Sequence, residues 1–185
     1  MFATTARPSF LDAVSRMGSA TTGTSAGGSS FTVESVMMMP FFIEDLVRRA
    51  ARIFDRVIVA VAKGAHKNPF LTLEQRTTLA RESLEGIEGV EVVSFACLLV
   101  DEFRKRKVNV VIRGLRAVSD FEYELMIALM NRKLDPHFET VFLMPSEQFI
   151  YLHSSLVKEI YQLGGEISCL VPPAVPKRLK EWNVR

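Results

Sequence analysis

A doubly wound α/β fold, with a parallel sheet covered by helices on both faces, is predicted from three features of the chain. The run VIVAVA (Val57–Ala62) is continuously apolar, as a strand buried on both faces must be. Further β-branched runs, at Val90–Phe95, Val108–Ile112 and Thr140–Met144, recur between stretches of helical periodicity. Strands that alternate with helices are joined by right-handed crossovers, which bring the strand-end turns to one edge of the sheet. With 185 residues, the chain can bury one full core and is too short for two comfortable ones.

The elements follow in order from local chemistry. Residues 1–30 are rich in Ser, Thr, Gly and Ala, and Gly18–Ser30 reads as a flexible linker, so this segment is expected to be disordered. A transit-type peptide is the alternative, because Arg7 and Arg16 face the single acid Asp12 there. One domain is expected over 31–185, with a possible first strand within Phe31–Met39. Ile43, Leu46, Val47, Ala50 and Phe54 keep helical spacing. Thr72-x-x-Gln75 is a capping box for a helix over Leu73–Leu84. A short helix is expected around Leu98–Lys105, and a longer one after Arg113, capped by Ser119-x-x-Glu122. Ser154 or Ser155 is expected to cap a helix stopped by Gly164-Gly165, and Pro172-Pro173 introduces a last helix reaching Trp182. The whole is a Rossmann-like sheet with a C-terminal helical extension.

Composition narrows the function classes. Apolar residues make up 48% and charged residues 24%, as in ordinary globular proteins, and the net charge is +2. No global field argues for nucleic acid or membrane, so any anion site must be local. No apolar run approaches the roughly 18 residues of a membrane span. Cys97 and Cys169 have no metal-ligand spacing and read as reduced, buried thiols of a cytosolic protein. His66, His137 and His153 show neither metal nor triad spacing, so no metal site is expected. GTSAGG lacks the Gly-Lys-Ser/Thr ending of a phosphate loop. RKRK (Arg104–Lys107) reads as a solvated helix end.

Four places at consecutive strand ends carry chemistry. In Lys63–Pro69, Lys67 can reach an anion as a point charge or stand in water as a loop lysine. In Arg113-Gly114-x-Arg116, two guanidiniums in a turn between strand and helix are suited to clamping phosphate. Glu124 and Asn131 lie seven residues apart on one face of the following helix, where a carboxylate can accept from a ribose hydroxyl. Phe149–Ser155 (FIYLHSS) brings hydroxyls and free amides to a helix N-terminus, either an anion cradle or a simple cap. Singly these signals are weak. Their shared edge gives them weight.

The block RGLRAVSDFEYE (Arg113–Glu124), with EDLVRRAARIFDRVIVAVA (Glu44–Ala62), KNPFLTLEQR (Lys67–Arg76), VFLMPSEQ (Val141–Gln148) and SSLVKEI (Ser154–Ile160), resembles bacterial phosphopantetheine adenylyltransferases over roughly residues 44–183. The resemblance implies adenylyl transfer from ATP, with Mg²⁺, to 4′-phosphopantetheine, giving dephospho-coenzyme A and pyrophosphate in the cytoplasm. By position it implies that Lys67 and Arg113 hold the phosphate of phosphopantetheine, and that Leu99 and Asn131 line its arm. Gly114, Leu115, Arg116 and Glu124 would contact ATP, with Arg116 and Lys67 facing the transferred group. Phe149, Ile150, Tyr151, Leu152, His153, Ser154 and Ser155 would wrap the nucleotide. A homohexamer and feedback binding of coenzyme A are implied as well.

The chain departs from that family in two places. The family's G-T-F-D-P-x-T-x-G-H aligns with Glu34–Ile43 (ESVMMMPFFI), which matches none of it. Ile43 takes the histidine position, Phe42 the glycine and Pro40 the second threonine. The serine usual at position 153 is a histidine. Impaired catalysis is therefore expected, and a catalytically inactive nucleotide- or coenzyme A-binding homologue is the alternative. A related cytidylyl- or nicotinate-type transferase is disfavoured by the RGLR-x-x-x-DFEYE block. The abrupt break before Glu44 points to replacement, or a frame or start-site change, upstream of that residue.

Overall fold

The computed structural model describes residues 29–33, 41–63, 70–108 and 110–184. The expectations for Gly18–Gly28, for Glu34–Pro40 and for Lys67 and His66 in the loop after VIVAVA lie outside the described residues. Five parallel strands form one sheet, β1 (Ser29–Val33), β2 (Val57–Ala62), β3 (Val90–Phe95), β4 (Val110–Gly114) and β5 (Glu139–Leu143), in spatial order β3-β2-β1-β4-β5. Six helices connect or follow them: α1 (Phe41–Ile53), α2 (Leu73–Ser83), α3 (Leu99–Arg106), α4 (Val118–Leu134), α5 (Ser154–Gln162) and α6 (Ala174–Glu181). The doubly wound α/β reading is the observed fold. The central strand β1 starts at Ser29, two residues inside the segment expected to be disordered.

Alternating residues of β2 explain its unbroken hydrophobicity. Val57, Val59 and Val61 join α1, α2, α5 and α6 in one core, while Ile58 and Ala60 face the other core with Phe103, Val111 and Phe138. Each valine or isoleucine so buried is worth about 1.5–3 kcal/mol relative to exposure.

Several boundaries differ from the sequence expectations by a residue or two, and those nearest the site have a visible reason. The fourth strand begins at Val110, because the Val108 amide donates to the Phe103 carbonyl at 3.0 Å and closes α3 behind a left-handed Lys107 (φ 55°). The strand then extends to Gly114, whose register partner in β5 is Leu143. Helix α4 starts at Val118 with extended Ala117 as its N-cap, so Ser119 falls inside the first turn and is not the N-cap residue; Asp120 supplies the negative charge at that end. Likewise His153 is the N-cap of α5, and Ser154 and Ser155 are its first helical residues. By contrast, Thr72 forms the full capping box with Gln75, and Gly164 (φ 82°) ends α5.

Cys97 and Cys169 are exposed, contrary to the buried thiols expected. Cys97 follows the last residue of β3, where the chain turns out over the strand edge, and Cys169 lies in the turn before α6. The basic run at the end of α3 is solvated as expected, with Arg104, Lys105 and Lys107 exposed, and two of its arginines are also ion-paired. Arg104 pairs with Asp135 at 2.8 Å, and Arg106 with the buried Glu102 at 2.6 Å.

Helix α6 is tied to α2 by Arg178, which donates from Nε to both carboxylate oxygens of Glu82 at 3.0 Å and from Nη1 to Glu181 at 2.7 Å. These bonds hold the Glu82 carboxyl below the usual glutamate range, chiefly through hydrogen bonding by Arg178, which outweighs the opposing effect of burial, with the charges of Arg178 and Lys177 adding to it. A depressed carboxylate pKa stabilises the fold above its unfolded value, and the contribution fades as pH falls through the folded value. Glu82→Gln is thus expected to lower the melting temperature slightly at neutral pH, with the difference vanishing below about pH 4. The effect is small because the pair is about one-third exposed. A pH series of thermal melts of both proteins checks this; a gap that persists in acid contradicts it.

Candidate active site

Strand order reverses between β1 and β4, the switch point at which open α/β sheets bind ligands beyond the carboxyl ends of their strands. The segment leaving β4 there is Gly114-Leu115-Arg116. Leu115 continues the sheet for one more bond, its amide donating to Leu143 at 3.1 Å. Gly114 lies under α1: a Cβ there would come within 2.5 Å of Leu46 Cδ2 and 2.6 Å of Phe42 Cζ. A larger residue there would oblige the ends of the Leu46 and Phe42 side chains to move.

Arg116 gathers three elements at this edge. Its Nε donates to Asp120 of α4 at 3.0 Å, and its Nη1 donates at 3.1 Å to the carbonyl of Leu152, just before α5. Its guanidinium carbon lies 5.2 Å from the centroid of the Phe42 ring on α1. Arg116 therefore sits where the sequence placed it, in the turn. Arg113 does not. It belongs to β4, is 6% exposed, and gives Glu124 of α4 two bonds, Nε to Oε2 at 2.5 Å and Nη2 to Oε1 at 2.9 Å. The two side chains read as separate ligand contacts also engage one another, as a forked pair.

The remaining sequence candidates spread along the same edge. Leu99 opens α3 after β3 and packs on the second core. Asn131 is half-buried on α4, two turns beyond Glu124. Phe149 ends a short 3₁₀ turn (Glu147–Phe149) and stacks on Phe41 with ring centroids 6.0 Å apart at 24°. Ile150 and Tyr151 are exposed, Leu152 is buried, and His153 is exposed. The histidine-equivalent Ile43 is 2% exposed and belongs to the core with Leu46 and Val47.

Two residues of this edge escaped the sequence reading. Asp45 in the first turns of α1 accepts from the Ser146 amide at 2.8 Å and its hydroxyl at 2.6 Å, which fixes the loop that carries Phe149–Ser155 to α1. The pair is 101 residues apart in sequence, so no local pattern announces it. Arg76 is 5% exposed and donates to the carbonyls of Ala62 at 2.8 Å and Lys63 at 3.0 Å, holding the end of β2. Burial pushes its pKa down from the usual arginine value. An arginine three residues from the buried Leu79 and Thr77's neighbour on the inward face of α2 was the available signal.

Chemically the edge offers two guanidiniums, Arg116 and Arg113, each paired with a carboxylate, a glycine in the turn beneath α1, and an aromatic ring at Phe149. Such parts suit a phosphorylated nucleotide.

Comparison with known proteins agrees. Residues 44–178 match the cytidylyltransferase-like family. The chain is 51% identical over 141 residues to a phosphopantetheine adenylyltransferase of Nitrosomonas eutropha, covering 76% of this chain and 86% of that protein. It is 49% identical to that of Thiobacillus denitrificans, over 75% of this chain and 86% of the relative. It is 52% identical to that of Thioalkalivibrio sulfidiphilus, over 74% and 86%.

Proposed function

Because this chain belongs to the phosphopantetheine adenylyltransferase family, we propose that its site serves adenylyl transfer from ATP to 4′-phosphopantetheine, giving dephospho-coenzyme A and pyrophosphate. The observation that carries this reading is Arg116, bound to both Asp120 and the Leu152 carbonyl at the switch point. A phosphate oxygen of phosphopantetheine attacks the α-phosphorus in line, the bond to the bridging oxygen breaks, and pyrophosphate leaves with the electron pair. The protein positions the two phosphates and stabilises the charge that develops between them. In this assignment Arg116 faces the transferred group with Lys67, and Lys67 and Arg113 hold the acceptor phosphate. Leu99 and Asn131 line the pantetheine arm. Gly114, Leu115, Glu124 and Phe149–Ser155 receive the nucleotide.

Mg²⁺ enters this scheme with the triphosphate, as part of the substrate. Among the described residues no three acidic, histidine or cysteine side chains converge, and Asp120 and Glu124 are each engaged by an arginine. The same reading carries a cytoplasmic location, coenzyme A as a feedback ligand, and a homohexamer. The exposed apolar side chains along α4, Phe121, Met126, Leu129 and Met130 among them, support self-assembly. No described helix is long and apolar enough to cross a membrane.

Ile43 in the histidine position favours a second reading, a homologue that binds coenzyme A or nucleotide without turnover. Pyrophosphate release from MgATP and phosphopantetheine, beside a calorimetric titration with coenzyme A, separates them. The expected result is coenzyme A binding with turnover at least about 10²-fold below that of a relative that carries T-x-G-H. Binding with no turnover favours the second reading, and neither binding nor turnover overturns both.

A further inference from the structure

We propose that Phe41 and Phe42 determine selectivity at this site by narrowing its nucleotide half against a triphosphate. The proposal rests on the adenylyl-transfer reading, which places the nucleotide at Gly114, Arg116 and Phe149.

Three features of that half which could receive ATP are met by one of the two rings. One face of the Arg116 guanidinium lies over Phe42. Its Nε and Nη1 already donate to Asp120 and Leu152, so a phosphate competes for those donors and meets a ring on that face. The open side of Gly114, where backbone would approach a phosphate, is filled by the Phe42 ring and Leu46. The ring of Phe149, a stacking surface for a base, is covered by Phe41. The first amide of α1 points to protein as well, since the Phe41 N–H donates to Leu170 at 3.4 Å. Four separate contacts thus converge on two adjacent residues at the start of one helix. Both rings are only half-buried, and neither belongs to the set of fully buried core side chains, so their place at the crevice is not dictated by the core alone.

The test is equilibrium binding to the full chain of a non-hydrolysable MgATP analogue and, separately, of 4′-phosphopantetheine. Wild type is expected to bind phosphopantetheine and to bind the analogue only weakly. Phe41→Ala/Phe42→Ala is expected to bind the analogue at least about tenfold more tightly, a change of roughly 1.4 kcal/mol, with phosphopantetheine affinity unchanged. Analogue binding as tight in wild type as in the double variant, with phosphopantetheine still bound, overturns the proposal and leaves the site reading standing. Failure of both proteins to bind either ligand overturns the site reading and the proposal with it. If the double variant loses its cooperative melt, Phe42→Leu replaces it. That change keeps apolar volume and removes the aromatic face from Arg116, and no gain in analogue affinity then counts against the proposal.

Discussion

Exchanging Glu34–Ile43 for the ten-residue run G-T-F-D-P-x-T-x-G-H is expected to raise the rate of pyrophosphate release by at least roughly 10²–10³. One preorganised donor to transition-state charge is worth about that much, or roughly 3–4 kcal/mol. The exchange adds a histidine, two threonines and loop amides, and it removes Phe41 and Phe42 from Arg116 and Phe149. Group effects of this kind are not additive, so the figure is a floor. The single change Ile43→His is expected to fail. Ile43 is 2% exposed in the core beneath α1, and an imidazole there is buried among Leu46, Val47 and their neighbours. Leaving its polar atoms unpaired costs about 1–3 kcal/mol without reaching the substrate. Steady-state assays of wild type, the exchange and Ile43→His decide the matter. Equal rates in wild type and the exchange show that the missing loop is not what limits turnover.

Glu124→Ala is expected to be the most destabilising single substitution at the site. Arg113 is 6% exposed and Glu124's side chain 16%, and the two share a forked ion pair. Removing one member of a buried pair costs about 3–5 kcal/mol, because the other charge loses the carboxylate that faces it. For a chain of this size that corresponds to a fall in melting temperature of roughly 10 °C. Glu124→Gln, which keeps shape and one acceptor, is expected to lose less. Thermal unfolding of both variants measures the effect; a shift under about 2 °C for Glu124→Ala shows the pair to be dispensable for folding. The pairing also bears on binding. A phosphate arriving at Arg113 meets a guanidinium already held by a carboxylate, so ligand and Glu124 compete for the same donors.

Much of the fold was legible because its signals are local. A strand covered on both faces must be apolar throughout, and VIVAVA is. The capping box at Thr72 is a pair of bonds three residues apart, and it forms. Backbone conformation was harder to read. Nothing in the residue types at Ala117 and His153 announces that they are the N-caps, so the neighbouring serines drew the boundary inward. At the site, Arg116 was legible because strand, glycine and helix bracket it. The strand position of Arg113 and its bond to Glu124 were not, since both depend on how far β4 extends before the chain turns. Asp45 with Ser146, and Phe41 with Phe149, join residues about a hundred positions apart. Only packing brings them together.

The placement of β1 has a mechanical consequence. That strand is the sole link between two smaller ladders, β2 with β3 and β4 with β5. Among the described residues it is matched to β2 over five residue pairs but to β4 over two, Ser30 with Val111 and Phe31 with Ile112. The β1–β4 junction is therefore the shorter of its two ladders, and it lies at the crevice beside the turn that leaves β4. A load or a thermal fluctuation is expected to part the sheet there first. A ligand seated across the crevice would act as a rivet on the weakest line of the sheet.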